Sequence, residues 1–302
     1  MKIFVAPLNW GLGHASRCVP IIRRYLCAEH EVVIGSDGAA LDFLKTYFPN
    51  LRTIELPHLD LHYSAGKSQV ATLVSQLPHI IKWIQKDGEV LERLIEKEHF
   101  DVVVSDNRFG LCPKKQINRP YMVYITHQLH IILPRLWRWL EPLAEWWHRG
   151  IIERYDECWV PDNEDINVSL GGDLSHPIRL PQNIKYIGPL SRFESYPLVN
   201  KTTIEKGRVV AVISGLEPQR TLFEKWVRSH YSNNDLIVVD GKSPYPSDDE
   251  LYDLFSRAEK IVSRSGYSSI MDYAVLDVLS KAELYPTPGQ SEQEYLARLY
   301  SF

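Results

Sequence analysis

The sequence predicts an α/β protein made of two doubly wound, Rossmann-like domains that face a cleft. Two observations carry this. Apolar, β-branched runs alternate with segments of helical period. Near 184–206 that alternation breaks, and a second one starts after it. The runs are continuous rather than alternating in polarity, which suits strands buried on both faces of a parallel sheet.

In the first domain the strand candidates are KIFVAP (2–7), EVVIGS (31–36), LRTIEL (51–56), DVVVSD (101–106), YMVYIT (121–126) and ECWVPD (157–162). Helical segments fall between them at 14–28, 39–47, 68–98 and 134–154. The stretch near 184–206 contains Pro189 and Pro197, has little periodicity, and reads as a linker. Beyond it come RVVAVISG (208–215), a helix from 218, DLIVVDG (235–241) and a helix near 248–258. KIVSRSG (260–266), a helix from 267, AELYPTPG (282–289) and a helix from 291 complete the chain. The expected domains are therefore 1–190 and 191–302. Ligands of such sheets bind beyond the carboxyl ends of the strands, so the shared cleft is the expected site.

Composition excludes several classes. A net charge of −4 argues against a nucleic-acid partner, which would need a basic excess. Met1-Lys2 leads straight into a strand-like run, so no signal peptide is expected, and no apolar stretch approaches the roughly 18 residues of a membrane span. Cys18, Cys27, Cys112 and Cys158 are scattered without a CxxC pair. That pattern fits neither a disulfide framework nor a structural zinc site, and suits a reducing cytoplasm.

Three strand-end loops of the second domain look alike. In ISGLEPQRT (213–221), Ser214 and Gly215 allow a tight turn into a helix whose N–H groups can meet an anion, and Arg220 adds a cationic fork. A plain strand–helix turn with a solvated arginine is the alternative. In SRSGYSSIMD (263–272), Ser265 and Gly266 repeat the device, and Asp272 offers a carboxylate to a ribose diol or is simply solvated. In PTPGQSEQEYLA (286–297), Gln290 and the N-capping candidate Ser291 lead into Glu292, Gln293 and Glu294. Acids there are ordinary dipole partners, but the Gln293 amide suits a sugar hydroxyl.

Taken together, these loops resemble those of GT-B glycosyltransferases, nearest in motif to the group of the bacterial peptidoglycan N-acetylglucosaminyltransferase. The SRSG turn with its helix acid implies that Asp272 holds the ribose of UDP. SEQE resembles the acid/Gln-Gln helix start that contacts the donor sugar, implying Glu292 and Gln293. SGLEPQRT stands in the place of the diphosphate loop but has one glycine where that group has more. On the acceptor side, GLGH (Gly11, Gly13, His14) resembles the family's glycine-rich loop ending in histidine. ITHQ supplies His127 and Gln128, and SDNRFG puts Asp106 and Asn107 at the rim. Chains of this group run on into a helix that crosses back to the first domain. This sequence ends about ten residues into it, so the closing helix is expected to be short or truncated.

The implied reaction is inverting transfer of N-acetylglucosamine or another hexose from a UDP-sugar co-substrate to a hydroxyl. It would need no further cofactor and no metal, since no DxD motif stands at a strand end. His14 is the expected base, because imidazole titrates near working pH, or its ring only satisfies loop backbone groups; His127 is a further candidate base that better suits the acceptor. Asp106 is a second candidate base or orients His14, and Arg17 reads equally well as a solvated helix residue. The stretch 131–155 interleaves Trp137, Trp139, Trp146 and Trp147 with arginines. It reads as an interfacial membrane helix suited to a lipid-linked acceptor, or as a helix with buried tryptophans; Glu141, Glu145 and Glu153 favour burial. The location is then cytoplasmic, at most peripheral to the inner membrane face.

Other readings stay open. A UDP-sugar 2-epimerase shares the architecture. Gly11-x-Gly13-x-x-Ser16 with Asp37 approximates an NAD fingerprint, as in an NAD-dependent oxidoreductase, though serine replaces the third glycine. A non-catalytic sugar-nucleotide-binding partner is the third.

Overall fold

The computed structural model describes residues 1–59, 75–113, 119–199, 204–233, 235–241 and 244–301. The first part of the helix predicted over 68–98, up to residue 74, lies outside these, as do residues 200–203 of the predicted linker.

The first half of the chain builds a seven-stranded sheet from β1 (Lys2–Pro7), β2 (Glu31–Ser36), β3 (Arg52–Glu55), β4 (Val102–Asp106), β5 (Tyr121–Ile125), β6 (Glu157–Val160) and β7 (Ile184–Tyr186). Their order is β3-β2-β1-β4-β5-β6-β7, with every pairing parallel; Val5 lies beside Ile34 on one side and Val104 on the other. Central β1 shows why the run is continuously apolar. Ile3 and Val5 pack with α1 (Leu12–Cys27) and α2 (Gly38–Tyr47) on one face. Phe4 and Ala6 pack with α3 (Leu77–Glu98) and α4 (Glu141–Ile152) on the other. All four strand residues are fully buried, so a polar residue at any of them would lose its water without a partner.

The second half forms a smaller parallel sheet of β8 (Arg208–Ile213), β9 (Asp235–Asp240), β10 (Lys260–Arg264) and β11 (Ala282–Tyr285), in the order β11-β10-β8-β9. Its helices are α5 (Gln219–His230), α6 (Asp248–Arg257), α7 (Tyr267–Val275) and α8 (Ser291–Leu299). The core of one face takes Phe223 and Val227 from α5, and that of the other takes Leu251 and Phe255 from α6. The start of α6 is set by a capping box: Ser247 accepts from the Glu250 N–H while Glu250 reaches back.

The two halves touch through their helices. The apolar cluster on α1 continues into Tyr267, Ile270 and Met271 of α7 and Leu296 of α8. The Ser268 hydroxyl donates to the Gly13 carbonyl at 3.0 Å, and a Cβ on Gly13 would stand 2.7 Å from that oxygen. A side chain at this position would have to displace the Ser268 hydroxyl.

Several expectations are corrected. A seventh strand, β7, occupies the start of the predicted linker. The segment predicted as one helix over 134–154 is a 3₁₀ turn, Arg135–Leu140, followed by α4. Pro142 sits in the first turn of α4, where its missing N–H costs nothing. Ser291 does not cap α8: Gln290 is the N-cap and makes no side-chain cap bond. Instead Gln293 and Glu294 reach back to the Thr287 and Gly289 N–H groups.

Candidate active site

The loops leaving β1, β4 and β5 converge on a buried polar cluster. Gly11 caps α1 at φ 79°, a conformation that suits glycine, and this turns His14 inward on the first helical turn. His14 Nδ1 lies 2.8 Å from Asp106 Oδ1. Asp106, fully buried at the end of β4, also takes the Arg17 Nε–H at 2.5 Å and a second, shorter bond from Arg17 Nη2. Burial works to raise the Asp106 carboxyl, but Arg17 and His14 pull it down to about 2. Asp106 is therefore ionised and a poor base, with an oxygen placed to accept a ring N–H from His14. Burial first, and then the Arg17 charge, hold His14 below its ordinary value against the pull of Asp106. His14 is thus a neutral imidazole at working pH.

Arg17 is no solvated residue. It is 1% exposed, and its Nη1 lies 3.1 Å from His127 Nδ1. An arginine only donates, so His127 Nδ1 accepts and its Nε2–H points to Glu292 Oε1, 2.8 Å away. The His127 ring stacks on Tyr267 with centroids 4.1 Å apart. His127, expected beside the acceptor, is thus packed between the two halves, and Glu292, expected on the donor sugar, partners it. Gln128 and Asn107, expected at the rim, are half-buried; the Gln128 N–H bonds Thr126, and Asn107 accepts from the Tyr124 hydroxyl at 3.0 Å.

The loops after β8, β10 and β11, expected to hold the donor, lie together. Arg264 joins them: it donates to the Pro286 carbonyl at 2.7 Å and to the Gln219 carbonyl at 3.1 Å, with its guanidinium 4.2 Å from the Phe223 ring centroid. Ser265 donates to the Gln293 carbonyl at 2.7 Å, and Gly266 caps α7. Ser214 and Gly215 follow β8, half-buried and exposed. Arg220, expected on phosphate, is buried and ion-paired with Asp240 and Glu217. The Gln293 amide oxygen is likewise taken, by the Thr287 N–H at 2.8 Å.

Asp272 is also engaged. Ser191 donates to it at 2.6 Å, and Arg192 lies 3.8 Å away. Burial raises its carboxyl to about 6, with Arg192 and Ser191 opposing. Six residues after Gly266, on α7, it is turned toward Ser191 and Arg192, which follow β7. Arg192 was missed by sequence reasoning; its Nε makes no hydrogen bond among the described residues.

A second cluster was missed as well. Arg108, fully buried, bonds Asp37 at 2.7 Å and Asp87 at 2.7 and 3.0 Å. Asp37 also accepts from Asn9 at 3.0 Å and sits 2.6 Å from His58 Nδ1. The acid that an NAD reading assigns to a ribose is thus filled by protein groups, which counts against that reading.

Two parallel α/β sheets whose strand-end loops meet, as His127 after β5 meets Glu292 after β11, have the architecture of the GT-B class of fold. No protein-family model matches the chain. It is 24% identical over 97% of its length to an uncharacterized glycosyltransferase of Methanosarcina acetivorans, covering 82% of that protein. A Streptomyces sp. SF2575 glycosyltransferase complexed with thymidine diphosphate superposes with a TM-score of 0.57 at 12% identity, over 99% of this chain and 86% of that one. A Listeria monocytogenes putative UDP-N-acetylglucosamine 2-epimerase superposes at 0.55 and 13% identity, over 99% and 86%. The fold is thus shared by transferases and by an epimerase, and the site has to separate them.

Proposed function

We propose that this protein is a glycosyltransferase that moves a hexose, N-acetylglucosamine in the first instance, from a UDP-sugar to a hydroxyl acceptor with inversion. The observation that carries the reading is the hydrogen-bonded pair of His14 and Asp106 at the strand ends facing the donor loops. With Nδ1–H given to Asp106, Nε2 takes the acceptor proton while the hydroxyl oxygen attacks the sugar's anomeric carbon. The bond to the β-phosphate oxygen breaks and UDP leaves, so one displacement inverts that carbon. With Arg220 held by Asp240, N–H groups at the starts of α5 and α7 meet the charge on the departing diphosphate without a metal. The relationship to a curated glycosyltransferase supports the reaction class. The choice of sugar rests on the resemblance of the SRSG and SEQE motifs to the peptidoglycan group.

The test is a thermal-shift panel of UDP, GDP, dTDP and NADH, followed by UDP release from UDP-N-acetylglucosamine with and without EDTA. UDP stabilisation and EDTA-insensitive UDP release are expected. Stabilisation by NADH alone sinks the reading; an epimerised UDP-sugar without UDP release favours an epimerase; binding without turnover favours a non-catalytic partner.

One observation favours an acceptor presented at a membrane. The tryptophans expected to be buried are not: Trp139 is 74% and Trp146 71% exposed, beside exposed Leu136, Leu143 and Trp147. Two of the three acids that seemed to dilute this face are engaged, Glu141 by the Leu133 N–H and Glu145 by His130, while Glu153 is exposed. Arg135 and Arg138 are exposed among the apolar side chains. That combination fits an anionic lipid surface on the cytoplasmic face. No helix among the described residues is long and apolar enough to cross a membrane, so the contact is peripheral. Phe109, three residues after Asp106, packs edge-on to Trp147 and connects this face to the base.

A further inference from the structure

We propose that Arg17 is the positioning residue of the base: bound to both oxygens of Asp106, it fixes that carboxylate as the acceptor of the His14 Nδ1–H and leaves the lone pair on Nε2. The inference rests on the reading of His14 as base. His14 Nδ1 has two neighbours, Asp106 Oδ1 at 2.8 Å and Arg17 Nη2 at 2.9 Å, and it can serve only one of them. If Arg17 donated to Nδ1, the proton would sit on Nε2 and no base would face the cleft. Three of the five Arg17 N–H groups have acceptors elsewhere, Nε–H and one Nη2–H on Asp106 and one Nη1–H on His127, so the guanidinium is held in place without Nδ1 as an acceptor. Asp106 is left with an oxygen beside His14, and a carboxylate is the stronger acceptor for an imidazole N–H. The charged and titratable groups around His14 are Arg17 on its own helix, Asp106 after β4, His127 after β5 and Glu292 on α8.

The cation has a second effect. It opposes the imidazolium, so His14 stays unprotonated at lower pH than an unpaired histidine would. Asp106 works the other way, and Arg17 limits that pull by sharing its charge. The positioning and the titration therefore depend on one guanidinium.

The imidazole ¹⁵N shifts of the full-length protein read both effects without any acceptor. In the wild type at neutral pH, His14 is expected protonated on Nδ1 and bare on Nε2. A proton on Nε2 overturns the proposal. Arg17→Gln is expected to raise the His14 titration by about one pH unit, and Arg17→Lys, which keeps the charge, by much less. Equal titration in all three forms also overturns it. Should Arg17→Gln fail to fold, the wild-type tautomer and Arg17→Lys still decide. UDP stabilisation, read separately, reports on the donor loops, so a failed transferase reading and a failed Arg17 role give different results.

Discussion

His127 Nε2 and Glu292 Oε1 lie 2.8 Å apart and join the two halves of the molecule across the cleft. On its other side His127 accepts from buried Arg17, so removing the ring leaves one Arg17 N–H and the Glu292 carboxylate without their partner. His127→Ala should destabilise the protein by about 1–3 kcal/mol in urea unfolding, the cost of unpaired buried partners. Glu292→Gln keeps an acceptor oxygen and should cost less. Equal losses would show that this bond does not hold the halves together.

His14→Ala should separate binding from chemistry. The ring stands on the first turn of α1, in the other half of the chain from the three loops proposed to hold UDP, so UDP stabilisation should persist. Transfer should fall about 10²–10⁴-fold, the usual contribution of a positioned base. Loss of UDP binding in parallel with transfer would assign His14 to the phosphates instead.

The strands were legible because their chemistry is local. β1 and β2 follow the apolar runs residue for residue, since a strand covered on both faces leaves no room for polar side chains. β7 was not legible: it is three residues long, and its Lys185 is exposed. The strand-end loops could be found for the same local reason, but their pairings could not. Arg17 meets Asp106 from 89 residues away, and Arg108 meets Asp37 from 71. A helical arginine reads alike whether it faces water or a buried carboxylate, and only the docking of α1 on the sheet decides. The tryptophans of 131–155 failed in the opposite sense, because Glu141 and Glu145 count as surface charge until their partners, the Leu133 N–H and His130, are seen.

Asp272 makes a pH prediction. Its buried carboxyl is raised from 3.8 to about 6, so the folded state holds a proton that the unfolded chain has lost over that window. Stability contributed by this residue therefore falls as pH rises from about 4 to 6, by up to about 3 kcal/mol. Asp272→Asn keeps an acceptor for Ser191 and cannot ionise. Relative to wild type its unfolding free energy should improve through that window and level off above it. A constant difference across the window would mean that Asp272 titrates normally.

The exposed aromatic face makes the last prediction. Because Trp139 and Trp146 lie mostly in water, replacing both with alanine should change stability by no more than about 0.5 kcal/mol. Sedimentation with vesicles containing phosphatidylserine should nevertheless fall steeply, at least tenfold in affinity, since each ring would otherwise bury at the headgroup boundary. Arg135→Gln with Arg138→Gln should weaken binding to anionic vesicles and leave the weaker binding to neutral ones unchanged, because only the Coulomb attraction has been removed. Wild-type protein that stays in the supernatant with both kinds of vesicle would remove the membrane from the reading. The hydroxyl acceptor would then be sought among soluble molecules, while the roles of His14 and Asp106 would stand as they are.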